Sequence, residues 1–257
     1  MSSGESEIVI YEVRDGVAWL TMNRPQARNA LNEALREGLR KAFARVASDD
    51  SARVAVLRAA GPVFCAGADL KEMAETSLAV PPPDWIPDLQ RDSRIEKPVI
   101  AAVQGAALAG GFLLAQMADL CVAATDATFA ITEARWGRGA PWAAPLPWMI
   151  PPRVALELLA TARAITAQRA YELGLVNELA APDRLDEAAG EIAAAIAANA
   201  PLTVAAGKRM VREVAGLPLE RAFELADEIY DPVYRSADAQ EGPRAFREKR
   251  QPNWEGR

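Results

Sequence analysis

Two stretches of the chain set small residues just ahead of a helix-like pattern. They are Phe64-Cys65-Ala66-Gly67-Ala68-Asp69-Leu70 and Gly105-Ala106-Ala107-Leu108-Ala109-Gly110-Gly111-Phe112. Each follows an apolar run that reads as a buried strand, at residues 54–57 and 98–103. A small-residue turn at a helix start leaves backbone N–H groups without intrahelical acceptors, with the helix dipole behind them. Two such turns side by side would aim two donors at one oxygen, the arrangement that stabilises an oxyanion. Close packing of strand on helix requires small residues just as much, and on spacing alone that plainer reading stands ahead.

The chain contains no histidine. This rules out Ser-His-Asp and Cys-His nucleophilic machinery, HExxH zinc sites and an imidazole base. Cys65 and Cys121 each lie in an apolar segment and read as buried reduced thiols, with no spacing for a zinc site. Acid–base work falls to Asp, Glu, Lys, Tyr or Cys.

The elements that would position such groups are legible. Residues 8–13 and 17–22 flank Asp15-Gly16 and predict a hairpin. Leu35, Leu39, Phe43 and Val46 recur at helical spacing behind Asn32, a natural N-cap, with Glu33 in the first turn. Residues 120–123 form another strand, and 111–118 a helix before it. Strand, strand, helix in alternation suggests stacked mixed units more than a doubly wound sheet. Residues 76–88, with Pro81, Pro82, Pro83 and Pro87, predict a mobile surface loop. Beyond residue 151 helical spacing dominates, at 154–160, 167–173, 185–198, 203–214 and 219–230. We divide the chain into a core over residues 1–195 and a helical region over 196–257.

The 257 residues, 51% hydrophobic and 25% charged, suffice for one large α/β domain with a helical tail. A formal net charge of -6 offers no basic field for nucleic acid, and an anionic ligand would need local cations. The opening MSSGESEIVIYEV lacks a signal-peptide pattern and no apolar run reaches spanning length, so a cytoplasmic location without a membrane partner is expected.

Several stretches in order carry a resemblance: Asn23-Arg24-Pro25-Gln26-Ala27-Arg28-Asn29-Ala30-Leu31, the Phe64 turn, Lys97-Pro98-Val99-Ile100-Ala101-Ala102-Val103-Gln104-Gly105, Gly174-Leu175-Val176-Asn177, and Glu241-Gly242-Pro243-Arg244-Ala245-Phe246 through Lys249-Arg250. Together they resemble the enoyl-CoA hydratase/isomerase (crotonase) superfamily over essentially the full length. The resemblance implies an α/β crotonase spiral of ββα units with a helical C-terminal trimerisation region, assembled as a homotrimer or a hexamer of paired trimers. It implies an acyl-CoA substrate, no cofactor beyond the CoA moiety, and no metal.

By the same resemblance, the N–H groups of Ala68 and Gly110 hold the thioester oxygen. The CoA moiety runs along Gln26, Ala27 and Arg28 and along Ala66, Ala68, Asp69 and Leu70. Arg28 is the local phosphate cation, and Lys249 a second, commonly supplied by a neighbouring subunit; simple solvent exposure is the alternative for both. Family hydratases hold a water between two glutamates. Glu133 matches one, but Leu113 occupies the other position, and leucine can neither hold water nor move a proton. A single glutamate suffices to shuttle a proton between C2 and C4 of an enoyl-CoA, so double-bond isomerisation is the expected activity. Hydration, or dehydration of a carnitinyl-like thioester, is the alternative, and a non-catalytic acyl-CoA-binding protein the third. Asp69 reads as a helix cap and Asp119 as a partner for backbone groups. Trp136, Trp142 and Trp148 line an acyl pocket or fill the core. The aspartate nucleophile of family dehalogenases has no counterpart, since Pro141 stands there.

Overall fold

The chain enters as an antiparallel hairpin of β1 (Val9–Arg14) and β2 (Val17–Met22), joined by Asp15 and Gly16 at φ 49° and 79°. Two residues with positive φ give the turn whose twist matches its strands. The computed structural model describes residues 7–76, 80–91 and 95–257. Residues 1–6 of the opening stretch and 77–79 of the proline-rich loop lie outside the described residues.

Helix α1 (Glu33–Ser48) starts where the Asn32 side chain accepts the Leu35 N–H at 3.0 Å. It buries Leu35, Leu39, Phe43 and Val46 against the sheet, each worth roughly 1.5–3 kcal/mol of apolar burial. There follow β3 (Val54–Ala59), α2 (Leu70–Thr76), β4 (Val99–Val103), β5 (Ala106–Leu108), α3 (Gly110–Met117), β6 (Leu120–Ala124) and β7 (Thr128–Ala130). Then come α4 (Leu146–Met149), α5 (Pro152–Thr161), β8 (Ile165–Thr166), α6 (Ala167–Glu172) and β9 (Glu178–Ala180). Helices α7 (Leu185–Ala197), α8 (Pro201–Glu213), α9 (Leu219–Tyr234) and α10 (Ala237–Glu248) close the chain.

Among the described residues, β1-β2-β3-β4-β6-β9 make one sheet, parallel after the first pair, and β5-β7-β8 a smaller second sheet. Strand β4 is buried at every position, as a central parallel strand covered on both faces must be. On one face it meets α7, whose Ala-rich side permits close approach.

One boundary is corrected and two features are added. The helix expected over 219–230 continues through Pro232 to Tyr234, because the ring removes one N–H and the next turn still closes on Asp231 and Val233. The tail also contains α10, capped by Ser236 despite Gly242 and Pro243 inside it. The proline-rich loop is bonded to α1 where it is described. Arg40 donates to the carbonyls of Asp84 and Trp85, and the Arg36 guanidinium lies 4.1 Å over the Trp85 ring. Leu89 is fully buried, its N–H on the Met117 sulfur at 3.3 Å.

Asp119 does more than satisfy backbone. One carboxylate oxygen accepts the Val99 N–H at 2.8 Å and the Lys208 ammonium at 2.8 Å, and the other takes Arg212 at 2.7 Å. The start of β4 is thereby fastened to α8.

Candidate active site

The two small-residue turns meet. Cys65 bridges Ala107, with its N–H on the Ala106 carbonyl at 3.0 Å and its carbonyl accepting the Leu108 N–H at 2.9 Å. Approach this close needs the glycines. A methyl group on Gly67, at φ 91°, would sit 2.8 Å from the Ala109 methyl, and one on Gly111 would strike the Cys65 carbonyl.

Leu31 brackets Ala68, donating to the Gly67 carbonyl at 2.8 Å and accepting the Asp69 N–H at 3.4 Å. Peptide groups alternate in direction along an extended segment, so the N–H of Ala68 faces away from Leu31. Gly110 is the first residue of α3, where N–H groups lack intrahelical acceptors. Ala68 and Gly110 both line one cavity of about 400 Å³, and among the described residues neither N–H has an acceptor within the protein. Ala109, between the turn and α3, holds φ 52° and ψ −116°, a conformation disfavoured for any residue with a Cβ.

The same cavity is lined by Glu133, at the head of a 3-10 turn over Glu133–Trp136. Pairing of β5 with β7 puts it there: Leu108 lies opposite Ala130, and the Ala109 N–H donates to the Ala130 carbonyl at 2.8 Å. Glu133 Oε1 accepts the Trp142 indole N–H at 3.1 Å, while Oε2 is buried without a partner. Burial raises the carboxyl pKa above its ordinary value, and the hydrogen bonds only partly offset this. Leu113 and Pro141 present carbon to the same cavity.

The rest of the wall is largely apolar, from Leu70 and Met73 of α2 and from Pro81, Pro82, Trp85 and Ile86 of the pinned loop. Asp88, Arg91 and Arg138 also contribute; their sequence surroundings gave no signal. The tryptophans divide. Trp136 and Trp142 line the cavity, whereas Trp148 is 85% exposed and neither lines it nor fills the core.

Asp69 caps α2 through the N–H groups of Lys71 and Glu72, and its other oxygen meets Arg24 at 2.7 Å. The Arg24 hydrogen bond holds its carboxyl below the ordinary range. Gln26 and Ala27 lie in a 3-10 turn, and the Arg28 carbonyl accepts the Ala66 N–H at 3.0 Å, so this turn abuts the Ala68 segment without lining the cavity. Buried Asn29 secures it, donating to the carbonyls of Ala60 and Val63 at 3.0 and 2.8 Å. Lys249 caps the end of α10, exposed and apart from the cavity lining. Cys65 is buried and its thiol is pushed up to about 12, so it serves packing.

A spiral of ββα units thus gathers two N–H groups without protein acceptors and a buried carboxylate oxygen on the wall of one cavity. The model of the enoyl-CoA hydratase/isomerase family matches residues 12–257, and the chain belongs to that family. It is 40% identical to the enoyl-CoA hydratase EchA19 of Mycobacterium tuberculosis, over 100% of this chain and 99% of the relative. It is 38% identical to the carnitinyl-CoA dehydratase of Proteus mirabilis, over 95% of this chain and 97% of that one. Among solved structures, the enoyl-CoA hydratase EchA1 of Mycobacterium marinum superposes with a TM-score of 0.90 at 41% identity, covering 98% of this chain and 100% of that chain. The fold is therefore the crotonase spiral, and the protein is an enzyme of this family.

Proposed function

We propose that the protein isomerises the double bond of enoyl-CoA thioesters with Glu133 as its single proton shuttle. The observation that carries this reading is the pairing of Glu133 with Leu113 in one cavity: a carboxylate with one unpartnered oxygen, and carbon where a second carboxylate would hold water. A bound water requires two to four polar partners, and Leu113 and Pro141 supply none from their side chains.

In the reaction, Glu133 Oε2 takes the proton from C2 of a 3-enoyl-CoA. The C2–H electrons move onto the thioester oxygen, which the N–H groups of Ala68 and Gly110 receive. The resulting dienolate is reprotonated at C4 by the same carboxylic acid, its electrons return, and the double bond stands at C2–C3. The step is redox-neutral. Donors aimed at the developing oxyanion contribute about 10²- to 10³-fold each, and positioned acid–base transfer about 10²- to 10⁴-fold. The raised carboxyl pKa makes Glu133 a stronger base for proton removal at C2.

Hydration or dehydration is the second reading, and Asp88 favours it. This buried aspartate lines the same cavity, and the relatives carry hydratase and dehydratase names. Self-association fits the exposed apolar residues Leu219, Phe223, Tyr234 and Phe246 on the C-terminal helices, and a trimer would let Lys249 of one copy serve another.

The test offers 3-hexenoyl-CoA, and separately crotonyl-CoA in water, to the protein and to Glu133→Gln. Conversion of the 3-enoyl substrate that vanishes in the variant supports isomerisation. Rapid crotonyl-CoA hydration, lost in Asp88→Asn, replaces it with the second reading.

A further inference from the structure

We infer that Trp142 is the positioning residue for Glu133, fixing one carboxylate oxygen with its indole N–H so that the other alone meets the substrate. The inference rests on the reading of Glu133 as the proton shuttle. Trp142 Nε1 donates to Glu133 Oε1 at 3.1 Å, and Oε2 is buried and unpartnered. A carboxylate free to rotate would exchange its two oxygens; a donor on one of them ends the exchange.

The indole is itself held. Its ring leans on Phe112 with centroids 5.9 Å apart, and Phe112 meets Phe129 edge-on at 6.0 Å. Its backbone carbonyl accepts from the Gln116 side chain at 3.1 Å, and Gln116 is 5% exposed. Phe112 and Gln116 both belong to α3, the helix that begins with Gly110. Gln116 thus acts through Trp142, and α3 reaches Glu133 by way of both residues.

The indole N–H also opposes burial in setting the acidity of Glu133, because it stabilises the charged carboxylate. The charged groups that share the cavity wall among the described residues are Asp88, Arg91 and Arg138. Arg138 touches Glu133 through its backbone N–H on the Glu133 carbonyl at 3.0 Å, and Arg135 turns away to the Ala162 carbonyl.

Trp142→Phe keeps an aromatic ring against Phe112 and removes the donor. The acid limb of its kcat/KM–pH profile on 3-hexenoyl-CoA is expected to move up by about one pH unit. Its kcat should fall about tenfold, with KM within about twofold of wild type. Benzothienylalanine at position 142, which keeps the bicyclic shape and lacks only the N–H, gives the same readout if the phenylalanine variant folds poorly. An unmoved acid limb in the benzothienyl protein overturns the inference. Full activity in Glu133→Gln would instead overturn the shuttle on which it rests.

Discussion

The N–H of Ala109 is bonded to the carbonyl of Ala130 at 2.8 Å. That single bond joins the residue before Gly110 to the strand that ends three residues before Glu133. The proposed oxyanion donor and the segment leading to the proposed base are thus registered through the backbone, and Ala109 adopts its unfavourable conformation in making the link.

Ala109→Gly should relieve that conformation without altering the bond. Backbone strain of this kind costs about 1–3 kcal/mol, partly offset by the greater freedom of glycine in the unfolded chain. A net gain of about 1 kcal/mol, seen as a rise in denaturation midpoint with kcat unchanged, is the expected outcome; Ala109→Val should lose more than it.

Leu113→Glu would restore a carboxylate on α3 facing Glu133. Crotonyl-CoA hydration should rise at least tenfold over the parent, as general acid–base groups contribute about 10²- to 10⁴-fold. The variant should also melt lower, since two carboxyls in one cavity resist ionising together. Absence of any hydration gain would place the determinant elsewhere.

Glu133 should report its burial through pH. Between the ordinary carboxyl value of 4.5 and its raised folded value, the folded state holds more protons than the unfolded one. Stability contributed by the protonated form is therefore lost as pH rises through that window and stays lost above it. Glu133→Gln is expected to melt above wild type at pH 7.5 and level with it near pH 4. The acid limb of wild-type kcat/KM should lie above 4.5 on the same grounds.

Asp119→Ala removes the carboxylate partner of Lys208, whose side chain is 6% exposed and keeps the Lys97 carbonyl, and frees the Val99 N–H. Breaking a buried pair from one side costs about 3–5 kcal/mol, so urea denaturation should shift by that amount. Lys208→Met with Asp119→Ala together should recover part of it.

Much of this architecture is legible in the sequence. Asp15-Gly16 marked its hairpin because few other residues accept positive φ twice, and Asn32 marked α1 because capping is local. The two glycine turns were legible as turns, but their meeting depends on the Cys65–Ala107 bridge, 42 residues apart in sequence and invisible to periodicity. Strands β5, β7 and β8 run for only two or three residues, too short to show an alternating pattern. Trp142 reads as bulk for a pocket or a core, since nothing in WGRGAPWAAPLPW says where an indole N–H will point. The hold of Arg36 and Arg40 on the proline-rich loop was equally hidden, because charged residues on a helix ordinarily face water.

The eight residues of α3 carry Gly110 at one end and Gln116 near the other. Through Gln116 and Phe112 the helix supports Trp142, and through Trp142 it reaches the Glu133 carboxylate. Both halves of the cavity consequently share one frame of reference. A substitution that shifts this short rod should therefore disturb the Gly110 N–H and the Glu133 carboxylate together.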